Sequence, residues 1–137
     1  MLTNNRYLKD LIKVNSYDSL GCRPRFTFFL SNDYTNYHNL QTPVFMGHEI
    51  ALHTVDNIFK EDRPVREWAQ QILAGRLYAQ RLLANLPDEN ISGFRAPFLK
   101  YNEKLYTALR RTETMYDSSF QPKEGRYSYA DTGAYVA

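Results

Sequence analysis

Apolar positions along the chain alternate between short unbroken runs and helical spacings. "RFTFFLS" (25–31) is a nearly continuous β-branched and aromatic run, too short for a typical helix, and predicts a strand buried on both faces. "HEIALHT" (48–54) predicts a second buried strand. "SGFRAPF" (92–98) predicts a third, which Pro97 must terminate, and "MYDSSF" (115–120) a fourth. Between them the period changes. Val65, Trp68, Ala69, Ile72, Ala79, Leu82, Leu83 and Leu86 recur at threes and fours, with Asp62 expected as the cap and Pro64 in the first turn. Leu105, Ala108 and Leu109 share one face of a further helix capped by Asn102. Tyr7, Leu8, Leu11 and Ile12 mark a short amphipathic helix over "NRYLKDLIKV". "YTNYHNLQTPVFMG" predicts a weak helix broken before Pro43 and closed by Gly47. "NSYDSLGCRP" is loop by composition, and "QPKEGRYSYADTGAYVA" has no period.

Strands alternating with helices predict an α/β fold with a parallel sheet built from right-handed crossovers. Ligands collect at the carboxyl ends of such strands. Each predicted strand end carries polar residues: Ser31-Asn32-Asp33, His53 to Asn57, Arg95, and Asp117-Ser118-Ser119. Four such clusters on one rim exceed what loop composition alone predicts.

Bulk composition narrows the classes. The 137 residues, 43% of them hydrophobic, suit one domain with one core. Seventeen basic against fifteen acidic residues give a net charge of +2, and the basic residues are scattered, so nothing calls for nucleic acid or an anionic membrane. No apolar run approaches a membrane span, and "MLTNNRYLKDLIKV" lacks the pattern of a signal peptide. The single cysteine, Cys22, can form neither an internal disulfide nor a cysteine-based zinc site. Eleven Tyr and eight Phe favour strands, a core, and a surface able to stack on sugar rings.

His53 has two readings: a strand-end histidine bonded to backbone, or a metal ligand with Asn57 one turn later as the second donor. Arg95 is either a surface arginine or a guanidinium that orients a carboxylate or holds an anion. Asp117 with Ser118 and Ser119 reads as a loop start or a helix cap, or as part of the rim chemistry. His48 and His53 stand five positions apart on one strand and so face opposite sides, which excludes a nucleophilic triad. The six glycines are dispersed, so no phosphate-binding loop exists.

"GCRPRFTFFLSNDYTNY", "GHEIALHTVDN", "GFRAPFLKYNEKLYTALR" and "MYDSSF" occur in the order and spacing of the polysaccharide deacetylases, the NodB-homology or carbohydrate esterase family 4 group. The chain resembles that family, and most closely its chitin-deacetylase-like branch, from about residue 4 to 120, so that 1–137 is read as a partial domain of this type. The resemblance implies a distorted (β/α) barrel, partial here, and metal-dependent hydrolysis of N-acetyl groups on chitin or a related glycan. It implies a divalent metal, zinc by preference, with His53 matching the first metal histidine and Asn57 standing where the second histidine usually is. Arg95 matches the arginine that positions the base, in an Arg-x-Pro-aromatic motif, and Pro97, Phe98 and Tyr101 would line the substrate groove. Asp117 and Ser118 fall near a further motif. The resemblance also implies a secreted or cell-wall location.

Two departures accompany these matches. The chain contains no Asp-Asp pair, the family's base and metal ligand, and no histidine follows His53 to act as general acid. Truncation at both ends is the expected explanation. Each missing group would remove a proton-transfer contribution of roughly 10²–10⁴-fold. The expectation for 1–137 alone is therefore an impaired deacetylase. The alternatives are a non-catalytic glycan-binding relic or a fragment of a longer enzyme.

Overall fold

A computed structural model of the chain describes residues 19–86 and 91–120, together with Asp10. Except for Asp10, the helix expected over 5–14 lies outside the described residues, as does the tail after Phe120. Strand β1 (Thr27–Leu30) leads through a 3₁₀ turn (Asn32–Tyr34) into helix α1 (Tyr37–Phe45). Strand β2 (Glu49–Leu52) precedes the long helix α2 (Val65–Leu82). Strand β3 (Gly93–Phe94), a 3₁₀ turn (Pro97–Leu99), helix α3 (Glu103–Arg111) and strand β4 (Tyr116–Asp117) complete the order. The four strands form one parallel sheet, β1-β2-β3-β4, as the alternation predicted.

Alternation along the strands separates two faces. Leu30, Ile50, Leu52 and Phe94 join Trp68, Ile72, Leu105, Ala108 and Leu109 in one buried cluster, so α2 and α3 share a core with this face. Trp68 meets Phe94 edge-on at 6.4 Å. Each large side chain buried this way contributes roughly 1.5–3 kcal/mol. The other face is polar. There Thr27 on β1 and Tyr116 on β4 both donate to the Glu49 carboxylate on β2, Tyr116 at 2.6 Å. Tyr116 lies over Gly93, where a Cβ would meet its ring at 2.1 Å, so only a glycine lets this brace cross β3.

Several expectations need correction. β1 is not buried on both faces: Thr27 is exposed and Phe28 and Phe29 are half-buried, because the strand edges the described sheet. Helix α1 does not break before Pro43 but runs through it. The proline ring is buried alongside Leu40, and this packing offsets the lost backbone bond. Gly47 closes the helix as expected, with φ +78°. Asp62 does not cap α2. Pro64 itself holds the N-cap position in an extended conformation, and the Asp62 carboxylate is exposed, 3.7 Å from Lys104. Leu82 points to solvent, because the helix ends there and Leu83 turns inward instead. Asn102 does cap α3, its side chain accepting from Leu105 N–H at 2.9 Å.

Candidate functional site

A parallel sheet brings all its carboxyl ends to one rim, and hydrogen bonds join the four polar clusters there in sequence. Asp33 N–H, after β1, donates to the Val55 carbonyl, after β2 (3.1 Å). His53 Nδ1 bonds the Arg95 carbonyl, after β3, at 2.5 Å. The Arg95 guanidinium donates to Ser118 Oγ, after β4, at 2.6 and 3.2 Å. Ala96 N–H donates to Ser119 Oγ at 2.7 Å. The sheet thus brings together residues that the sequence separates widely.

His53 is the best-defined of them. A carbonyl oxygen only accepts, so the Nδ1 that faces Arg95 carries the proton. In the neutral ring Nε2 then keeps its lone pair, so it and Asn57 Oδ1, 2.9 Å apart, are two acceptors facing each other with no proton between them. Burial lowers the His53 pKa below 6.5; the Arg95 carbonyl and Asn57 Oδ1, which would both accept from the protonated ring, oppose it, and the Arg95 charge adds a smaller push downward. The neutral ring thus leaves Nε2 and Asn57 Oδ1 as two lone-pair donors converging on one point. Backbone carbonyls set the tautomer of ligating histidines in this way. Asn57 reaches back to Nε2 from a left-handed conformation, φ +51°.

The segment carrying Asn57 is fastened to α2. Gln71 Oε1 accepts from the N–H groups of Val55 (2.9 Å) and Asp56 (3.3 Å). Arg63, its side chain fully buried, donates from Nη2 to Asp56 Oδ2 (2.9 Å) and to the Ile58 carbonyl (2.8 Å). Burial acts to raise the Asp56 carboxyl, but the Ile58 N–H and the Arg63 charge outweigh it and hold the group below its ordinary value. Neither Arg63 nor Gln71 was singled out from the sequence. Arg63 precedes the cap of α2 and Gln71 lies in its second turn, polar positions that look solvent-facing until the fold shows where they point.

Arg95 rests on the polar face, its guanidinium 4.5 Å over the Phe29 ring. Asp117 Oδ1 accepts from Ser119 N–H (3.2 Å) and Ser119 Oγ, an Asx turn, and burial pushes its carboxyl up. Pro97 is buried at the start of its 3₁₀ turn, while Phe98 is 70% exposed. Phe98 and Leu99 both take left-handed conformations (φ 57° and 56°), which side chains of this size rarely adopt. Tyr101 packs against Tyr106 and Phe120, and Phe120 is half-exposed. A cleft of about 480 Å³ lies at the opposite, amino end of the strands, around Arg25, Thr27, His48 and Glu49. It shares no residue with the rim.

His53 Nε2 and Asn57 Oδ1 fit a divalent cation as two of its donors. They do not complete a set, for no group of three His, Cys, Asp or Glu that could hold a metal exists among the described residues.

No family model matches the chain. It is 28% identical over 121 residues to chitin deacetylase 1 of Bombyx mori, an alignment covering 85% of this chain and 22% of that protein. The chain thus spans about a fifth of the curated relative it matches. Its fold matches the crystal structure of the Xyl-CE4 domain of a multidomain xylanase from the hindgut metagenome of Trinervitermes trinervoides. That match has a TM-score of 0.53 and 20% identity, over 60% of this chain and 40% of that one. The chain is thus similar in sequence to part of a chitin deacetylase and in fold to part of a carbohydrate esterase 4 domain, and its four described strands form an open parallel sheet.

Proposed function

We propose that this chain is part of a metal-dependent N-deacetylase acting on chitin or a related N-acetylated glycan, outside the cell. The observation that carries the reading is the state of His53. Its Nδ1 lies 2.5 Å from the Arg95 carbonyl, which only accepts, and its Nε2 lies 2.9 Å from Asn57 Oδ1, so that in the neutral ring two lone pairs converge there.

In this reading His53 and Asn57 hold part of the coordination sphere of a zinc-like cation, and the remaining ligands come from elsewhere in the longer protein. A bound cation of this kind polarises an acetamide carbonyl and lowers the pKa of water. The chain's own residues do the rest of the work assigned here. Arg95, anchored on Ser118, presents a fixed positive group for orienting a carboxylate base. Phe98 and Tyr101, both exposed, offer aromatic rings for sugar stacking. Proton transfer requires groups that 1–137 does not contain, since it has no Asp-Asp pair and no histidine after His53.

The second reading, a glycan-binding relic without catalysis, draws on that same absence together with the exposed Phe98. Acetate release from chitin oligomers by the longer natural protein, with zinc or cobalt added, separates the two. The deacetylase reading expects metal-dependent release that His53→Ala reduces by about 100-fold or more. Oligomer binding without acetate release under any metal supports the relic. Neither binding nor release overturns both.

A further inference from the structure

We propose that Arg63 is a positioning residue, a buried clamp that holds Asn57 against His53. Asn57 lies between two residues tied to one nitrogen atom. Arg63 Nη2 takes the Asp56 carboxylate on one side and the Ile58 carbonyl on the other. Asp56 Oδ1 also accepts from Ile58 N–H at 3.0 Å, which closes the turn around Asn57. With both flanks fixed, Asn57 keeps its left-handed φ of +51°, and its Oδ1 stays 2.9 Å from His53 Nε2.

The burial of Arg63 makes this more than a surface ion pair. Its side chain is fully inaccessible, and the guanidinium lies 4.8 Å over the Trp68 ring with Glu67 Oε1 3.6 Å from Nε. A buried guanidinium is costly, and well-packed apolar residues of similar volume often stabilise a fold as well or better. What an apolar residue cannot do is hold a carboxylate and a carbonyl at once. Gln71 grips the same segment two residues earlier in the chain, through Val55 and Asp56 N–H. The pair fixes the segment between His53 and Ile58 to the entry and first half of α2, the element that also carries Trp68 into the core. Arg63 therefore acts on the rim through Asn57 and touches no reacting group itself.

The inference rests on the metal reading only for its effect on affinity; the local geometry is tested separately. Arg63→Met, Arg63→Lys and Asp56→Asn are compared with the parent by ring-nitrogen NMR of His53 at fixed pH and by the contact between His53 and the Asn57 amide. Zinc affinity is measured calorimetrically on the longer protein. Arg63→Met is expected to keep a cooperative melting transition, lose the His53–Asn57 contact and weaken zinc by about 10–100-fold. Arg63→Lys, which keeps a charge and donors, restores much of both. If Arg63→Met fails to fold, Asp56→Asn removes the same ion pair at a partly exposed position and reads the clamp instead. An intact His53–Asn57 contact in a folded Arg63→Met or Asp56→Asn variant overturns the proposal. A parent protein that binds no zinc overturns the metal reading alone, and the NMR contact still decides the clamp.

Discussion

The two histidines flanking β2 are the same residue type at opposite ends of one strand, and they hold opposite tautomers. At the amino end, Phe26 N–H donates to His48 Nδ1 at 3.2 Å, so that nitrogen holds the lone pair and Nε2 carries the proton. At the carboxyl end, His53 Nδ1 faces a carbonyl, and the assignment reverses. His48 packs between Phe26 and Phe28 on the helix-facing side, with its Nε2 buried and without a hydrogen-bond partner. His53 turns Nε2 toward the Asn57 amide oxygen on the polar side. The backbone group behind each ring decides which of them can ligate. Histidine count and spacing carry no trace of that choice.

The brace at the amino end offers the largest perturbation that should spare the carboxyl end. Gly93→Ala forces the Tyr116 ring off its position and breaks its bond to Glu49. We expect a loss of roughly 2 kcal/mol in urea denaturation, with the His53 tautomer unchanged by NMR. A changed His53 would show that the two ends are coupled.

Acid distinguishes the histidines next. Burial lowers both pKa values below 6.5, with the Arg25 charge a second cause at His48. Each ring therefore binds fewer protons folded than unfolded. The stability they contribute is fully present above about pH 6.5 and is lost as pH falls through that value toward the lower folded pKa values. The steepest slope is about 1.4 kcal/mol per pH unit for each group. Chemical denaturation at several pH values should show this decline, and His48→Gln and His53→Gln should each remove one share of it. A pH-independent stability between pH 7.5 and 5 would contradict both assignments.

Asp117→Asn is the smallest change and tests whether the carboxyl end needs that charge. The amide oxygen keeps the bonds from Ser119, and burial already disfavours the ionised form. A shift within about 0.5 kcal/mol is expected by thermal melting. A larger loss would mean that Asp117 holds Arg95 electrostatically.

The helices and strands were legible because period and run length report one-sided or two-sided burial directly. Leu105, Ala108 and Leu109 fell on the buried face of α3, and the parallel sheet followed from the alternation of strands and helices. The failures have local causes. Leu82 sits at the last turn of α2, where a period of threes and fours cannot say which residue leaves the helix. Pro43 shows tertiary packing overriding a breaker. At the rim, His53 and Arg95 were recognisable, but their connection runs through a backbone carbonyl that any residue possesses. Arg63 was invisible for the opposite reason: a charged residue beside Asp62 and Pro64 looks like a solvated helix start, and its burial depends on where Trp68 carries the helix.

The parallel order also fixes when the site can form. His53 and Arg95 stand 42 positions apart, and Thr27 and Glu49 stand 22 apart. No hairpin turn is available to start either pairing. Closing the longer loop costs only about 0.6 kcal/mol more for each doubling of length, but non-local pairings are slow to assemble. The single tryptophan, Trp68, reports the docking of α2 on Phe94 in β3, while the His53 tautomer is set only when β3 aligns with β2. Both reporters therefore depend on the arrival of β3, and in refolding they are expected to change together.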